Sequence, residues 1–204
     1  MTRVLCVEIS KLEPAYPTLY AAASAERRQR ADRYRWKEDA LRCLVAGALL
    51  QHALGTAEYT TVKGPFGKPY IKGNNSFHYN LSHSDNWVVI AFGDTEVGID
   101  VEKICMDPGK EDIARRYFTP DEQAYVFNTK ELAPQRFFEV WTGKESYLKY
   151  LGTGLKKNLA SFSIFSLEPE VRLCHSSLPG GYSLTLCTSD DNYLFELLDE
   201  QRLR

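Results

Sequence analysis

Four side chains in this sequence have types and spacing that could do chemistry: Asp100, Glu102, Glu145 and Lys149. Asp100 and Glu102 lie two apart in Val97-Gly98-Ile99-Asp100-Val101-Glu102, an alternating, β-branched run that predicts a strand, so both carboxylates share one side of a sheet. Glu145 and Lys149 lie four apart in Trp141-Thr142-Gly143-Lys144-Glu145-Ser146-Tyr147-Leu148-Lys149, where helical spacing puts Trp141, Glu145 and Lys149 on one stripe. Each half has a plainer alternative. An isolated D-x-E can be a solvated strand face, and Glu followed by Lys at i+4 is a common surface pair worth a few tenths of a kcal/mol. Taken together, three carboxylates without a His or Cys cluster suit a hard cation that keeps several waters, which points to Mg²⁺ and so to a phosphate-bearing substrate. Asn80-Leu81-Ser82-His83-Ser84 ends an expected strand at a turn, where amide, hydroxyl and imidazole can reach an anion. The plainer alternative is that Asn and Ser at such a turn bond their own backbone.

The elements that must position these groups come in a repeated order. The N-terminus alternates as a strand to about Ile9, and after Pro14 and Pro17 Ser24 is a suitable N-cap for a charged helix running toward Tyr34. Arg27, Arg28, Arg30 and Arg33, with Arg35 just beyond, make this the most basic stretch of the chain. From Glu38 the spacing of Leu41, Leu44, Val45, Ala48 and Leu49 predicts a second helix, with Gly55 as its stop. Lys63 to Pro69 is a loop, and strands are expected from Phe77 to Ser82, from Trp87 to Phe92 and from Val97 to Glu102. Thr119-Pro120-Asp121-Glu122 is a capping box that opens a helix to about Asn128, and another helix runs from Pro134 to Gly152. The tail from Ser161 to Leu198 predicts four short strands, with Gly180-Gly181 as a hairpin turn. The twofold order of strand, helices, strands predicts an α+β fold of two similar pseudo-twofold lobes, 1–97 and 98–204, each a small antiparallel sheet packed with helices. There is no Gly/Ser-rich linker between them, so the lobes are expected to pack.

With 25 Lys and Arg against 27 Asp and Glu, the formal net charge of −2 supplies no global field for nucleic acid or an anionic membrane, so any anion site must be local. The longest apolar runs, such as Trp87 to Phe92, are far short of the roughly 20 residues that span a bilayer. Glu8 interrupts the N-terminal run earlier than a signal peptide would, and a mature, cytoplasmic chain is expected. Cys6, Cys43, Cys105, Cys174 and Cys187 are an odd, widely spaced set without a C-x-x-C pair, and are expected to be small buried hydrophobes. His52 and His175 stand alone and are expected to be structural.

Three blocks carry a more specific signal: Asn80-Leu81-Ser82-His83-Ser84, Gly98-Ile99-Asp100-Val101-Glu102, and Trp141-Thr142-Gly143-Lys144-Glu145-Ser146 followed by Lys149. In order and spacing they resemble the signature of the Sfp-type 4'-phosphopantetheinyl transferases of the holo-carrier-protein synthase superfamily. The segment from Arg33 to Arg42 resembles the family's upstream basic segment and Gly67-Lys68-Pro69 its loop before the N-x-S-H block, so the resemblance runs from about Ser24 to Phe165. It implies transfer of the phosphopantetheine arm of coenzyme A to a serine hydroxyl on an apo acyl or peptidyl carrier protein, releasing 3',5'-ADP, with Mg²⁺ at the pyrophosphate. The resemblance assigns Asp100, Glu102 and Glu145 to the metal, Lys149 to the pyrophosphate, and Glu145 or a metal-bound water to the serine proton. Asn80, Ser82 and His83 fall where coenzyme A phosphates and adenosine are met, Gly67, Lys68 and Pro69 in the adenine loop, and Arg27 and Arg30 near the 3'-phosphate. Trp141 is expected to be a core anchor, and Lys144 to serve carrier docking or solubility only.

The length matches the self-duplicated kind of transferase, a monomer with coenzyme A between its lobes, rather than the small trimeric synthases of the superfamily. The residues alone leave a metal-dependent nucleotide phosphoesterase as the alternative, because three acids with Lys and His would serve water as well as serine. A non-catalytic coenzyme A or carrier-binding module ranks last, since all three acids are present. For carrier docking, Ile104-Cys105-Met106-Asp107-Pro108-Gly109 and the helix ending Arg115-Arg116-Tyr117-Phe118 lie nearest the metal strand in sequence. Arg115 and Arg116 are expected to steer an acidic carrier, and Met106 or Phe118 to anchor it. Whether fatty-acid, polyketide or nonribosomal peptide synthesis supplies the carrier is left open.

Overall fold

In the computed structural model, which describes residues 1–105, 109–154 and 157–203, the N-terminal alternation forms β1 (Thr2–Glu8). A 3₁₀ segment (Ile9–Ala15) leads to the short helices α1 (Tyr16–Ala22) and α2 (Ala25–Ala31) and to the long α3 (Lys37–Leu54). A small hairpin of β2 (Thr61–Lys63) and β3 (Pro69–Ile71) precedes β4 (His78–Ser84) and β5 (Trp87–Gly93). The second half opens with β6 (Val97–Lys103), continues through α4 (Gly109–Tyr117), α5 (Pro120–Phe127) and α6 (Ala133–Leu151), and ends with β7 (Arg172–Leu178), β8 (Tyr182–Thr188), β9 (Tyr193–Leu198) and α7 (Glu200–Leu203).

Local signals account for the helix ends. Ser24 Oγ accepts the Arg27 amide at 3.2 Å and starts α2. Gly55 closes α3 with φ +68°, a left-handed conformation that suits a residue without Cβ. Thr119 and Glu122 form the expected capping box on α5. The β7–β8 hairpin turns on Gly180 and Gly181, both at positive φ.

The first sheet has the order β4-β5-β1-β9 and the second β6-β8-β7. Within them β4-β5-β1 and β7-β8-β6 are the same antiparallel motif, so the pseudo-twofold repeat expected from the sequence exists at the level of strand order. Four layers result. Leu5, Val7, Val88 and Ile90 pack against Leu41, Val45 and Leu49 of α3. On the opposite face Val4, Cys6, Val89 and Ala91 meet Val97, Ile99, Val101, Leu184 and Leu186 of the second sheet. The far side of that sheet receives α6, which is packed by α4 and α5 through Phe118, Val126, Phe137 and Phe138.

The structure departs from expectation in the tail. Three strands form there rather than four, because residues 161–171 turn back on themselves and the Phe162 carbonyl is taken by Lys144. The last strand, β9, pairs in parallel with β1, so the expected division at residue 97 is crossed by one strand of the first sheet. Among the described residues no helix is long and apolar enough to cross a membrane.

Candidate active site

β4 and β6 are edge strands of different sheets, and side chains join them. The N-x-S-x-S spacing puts Asn80, Ser82 and Ser84 on one face of β4, where they meet alternate amides of β6. Asn80 Oδ1 accepts the Ile99 N–H at 2.9 Å, Ser82 Oγ the Val101 N–H at 3.4 Å and Ser84 Oγ the Lys103 N–H at 3.1 Å. Each serine also donates: Ser82 to Asp100 Oδ1 at 2.9 Å and Ser84 to Glu102 Oε2 at 2.8 Å. A hydroxyl can accept and donate at once. The same residues that satisfy the edge of β6 therefore aim its two carboxylates.

Gly98 sets the distance to α6. A Cβ at this position would overlap the Ser146 carbonyl and the Tyr150 amide, so helix and strand touch backbone to backbone here. This approach brings Lys149 Nζ to Asp100 Oδ1 at 2.6 Å, Ser82 Oγ at 3.0 Å and the Ile99 carbonyl at 3.1 Å. Glu145, one turn earlier on α6, lines a cavity of about 260 Å³ with Lys149, Asn80, Lys68 and Phe66.

Burial raises the pKa of Glu102 and of Glu145, and the Asp100 carboxylate raises both further, while Lys149 pulls in the opposite direction. Among the described residues no three acid, His or Cys side chains are gathered tightly enough to form a ready cage. A Mg²⁺ ion that keeps its waters needs only one or two protein carboxylates. Asp100 is 4% exposed, and its Oδ2 is buried without a hydrogen-bond partner. An orphaned carboxylate oxygen beside two mutually repelling acids fits an oxygen-seeking cation, with Asp100 and Glu102 as the residues that would hold it and Glu145 beside them.

His83 points to the other side of β4. It is exposed, and partial desolvation, together with Arg42, Lys149 and Arg30, holds its pKa below the ordinary histidine value. The sequence alone assigns no individual role to Arg42, Ser84 or Gly98, and the structure gives each one. Arg42 is fixed near His83 by Asp39 and the Asp85 carbonyl. The signals were present as the period-two position of Ser84 and as a glycine inside a strong strand.

The other expected residues are held mainly by contacts within the protein. Arg27 packs across Gly47 of α3, donates to the Cys43 carbonyl at 3.4 Å and lines a separate cavity of about 530 Å³ with Ser24, Gln51 and His52. Gly67 makes a left-handed turn before Pro69 starts β3, and the Lys68 ammonium between them is engaged with protein atoms rather than held out toward a ligand. Lys144 is not a surface group: it is fully buried, ion-paired with the equally buried Glu122 at 2.8 Å, and bonded to the Leu159 and Phe162 carbonyls. Trp141 is partly buried and stacked on Phe137. Phe118, expected as a docking anchor, is 2% exposed within the α4–α6 core, and Arg115 is paired with Glu111. Met106, Asp107 and Pro108 lie outside the described residues.

Residues 96–193, which include Asp100, Glu102, Glu145 and Lys149, match the family model described as the 4'-phosphopantetheinyl transferase superfamily. The chain is 38% identical over 153 residues to a 4'-phosphopantetheinyl transferase of Bacillus subtilis, spanning 72% of this chain and 67% of that one. It is 34% identical over 148 residues to the 4'-phosphopantetheinyl transferase Sfp of Bacillus subtilis strain 168, spanning 69% and 65%. A phosphopantetheinyl transferase of Thraustochytrium is 28% identical over 200 residues, spanning 86% and 69%.

Proposed function

The chain belongs to the 4'-phosphopantetheinyl transferase superfamily, and we propose that the junction of β4, β6 and α6 is where it moves the phosphopantetheine arm of coenzyme A to a serine of an apo carrier protein. The observation that carries this reading is the row of acids Asp100, Glu102 and Glu145, two of them aimed by serines, with the Lys149 ammonium against Asp100. Attack on a phosphorus that already bears negative oxygens is mainly a matter of neutralising charge and aligning the nucleophile. Lys149 is placed to exchange its bond with Asp100 for one with a pyrophosphate oxygen. Mg²⁺, when bound at Asp100 and Glu102, supplies further neutralisation of the pyrophosphate. Glu145, with its pKa raised by burial and by Asp100, is a suitable acceptor for the serine proton. The serine oxygen forms a bond to the phosphorus that carries the arm, the phosphoanhydride bond breaks, and 3',5'-ADP leaves. Arg30 and Arg42 are cations close enough to His83 to disfavour its charged form, and this reading gives these three residues the 3'-phosphate.

The site takes β4 from the first lobe and β6 and α6 from the second, which supports action as a monomer. Incubation of the chain with coenzyme A, Mg²⁺ and an apo carrier, followed by intact mass measurement, should show the carrier gain the mass of the arm. Coenzyme A incubated without a carrier should remain intact. Its hydrolysis there, with no gain in carrier mass, would overturn the reading in favour of a phosphoesterase.

A further inference from the structure

Two lysines fasten α6 to β6, and they are not equivalent. Lys149 bonds Asp100 and the Ile99 carbonyl at a partly open surface. The Lys68 side chain is 5% exposed, and its ammonium donates to Glu96 Oε2 at 2.5 Å, the Val97 carbonyl at 2.9 Å and the Tyr150 carbonyl at 3.0 Å. An ammonium has three donors, so all are in use and none remains for a nucleotide. The acceptors belong to two places: Glu96 and Val97 at the start of β6, and Tyr150 in the last turn of α6, where carbonyls lack helical partners and favour a cation. The bond lies beside Gly98, where the two elements touch. The lysine stem runs along Gly152, whose φ of +66° ends α6, and a Cβ there would come within 3.1 Å of Lys68 Cδ.

We propose that Lys68 is a positioning residue that locks the last turn of α6 to the start of β6 and keeps Glu145 and Lys149 in register with Asp100 and Glu102 while a substrate draws Lys149 away from Asp100. The proposal rests on the transfer function above, because only a substrate that engages Lys149 makes the second tie necessary. Lys68 acts through the elements it joins, and the adenine loop serves a ligand through the backbone on either side of it.

The test uses Lys68→Met in the full chain, with coenzyme A affinity by calorimetry, transfer kinetics, and amide hydrogen exchange at residues 149–152 with and without coenzyme A. The coenzyme A Kd should stay within about threefold of wild type while kcat falls about tenfold or more. Exchange at the end of α6 should quicken about tenfold, and by more in the coenzyme A complex. A Kd weakened tenfold at unchanged kcat would make Lys68 a nucleotide ligand and overturn the proposal, as would unchanged exchange. If Lys68→Met does not fold, Glu96→Gln keeps the ammonium and weakens one of its bonds. It should show the same pattern at about two- to fivefold, and wild-type exchange and kcat in that variant would overturn the proposal. Failure of the transfer function would appear separately, as a wild-type chain that adds no mass to a carrier, while the exchange difference in the free protein still reports the tie.

Discussion

The two lobes share a strand order but differ where helix meets sheet. In the first, β1 turns Leu5 and Val7 toward α3, and the interface is apolar. In the second, β6 turns Gly98, Asp100 and Glu102 toward α6, and even deeper in that interface Thr142 meets Ser183 and Thr185 through hydroxyls. The edges differ in the same sense. β1 has strand neighbours on both sides, β5 and β9, whereas β6 pairs with β8 alone and has its outward amides satisfied by Asn80, Ser82 and Ser84. Buried backbone N–H groups must be paired. A strand can do this in the first lobe and side chains in the second, but only the side chains have a further donor to offer a carboxylate. The repeated fold thus acquires a polar site by leaving one edge without a strand.

Making the second lobe resemble the first should have the largest effect. Asp100→Leu gives β6 the type of side chain that Leu5 gives β1, and transfer should fall by on the order of 10²–10³-fold. Its melting temperature should change little, because removing a buried carboxylate with an orphaned oxygen offsets the bonds lost to Lys149 and Ser82. The converse holds in the first lobe. Leu5→Ala should cost about 2–5 kcal/mol by chemical denaturation and leave kcat near wild type. Gly98→Ala should affect both quantities: the new methyl must push α6 away, at about 1–3 kcal/mol of stability, and separate Lys149 from Asp100.

pH sharpens the comparison. Glu102 and Glu145 have folded pKa values raised above the ordinary 4.5, so the stability they contribute is complete below that value and is lost as pH rises through their elevated folded values. Thermal melts of Glu145→Gln should therefore run above wild type at neutral pH, and the advantage should vanish below about pH 4.5. A constant offset at all pH values would assign the effect to packing. The smallest expected effect is that of Ser84→Ala, which frees Glu102 by removing one donor worth about 0.5–1.5 kcal/mol and should slow transfer about three- to tenfold.

Much of this was legible where the cause is local. The caps at Ser24, Gly55 and Thr119 follow from neighbours within four residues, and the D-x-E strand and the Glu145–Lys149 stripe follow from the periods of strand and helix. What depends on distant partners was not legible. The apolar pattern of β9 does not say that it lies beside β1 rather than in the second sheet. Arg27 is of the right type for a phosphate, but its direction is set by the bare surface of Gly47 on another helix. Lys144 follows Trp141 by three and precedes Glu145 by one, and only the fold shows that its side of α6 faces Glu122, whose carboxylate also accepts the Thr119 and Ile164 amides. Breaking that pair by Lys144→Met should cost about 3–5 kcal/mol because Glu122 would be left buried and uncompensated.

The most direct test of the β4–β6 junction as the transfer site is the rate at which an apo carrier gains the mass of the phosphopantetheine arm, measured for wild type and for a Ser82→Ala, Ser84→Ala variant whose melting is followed in parallel. If the serines aim Asp100 and Glu102, the folded variant should transfer about 10–100-fold more slowly and need more Mg²⁺ to reach its maximum. A folded variant that modifies the carrier at the wild-type rate and the wild-type Mg²⁺ concentration would contradict the account.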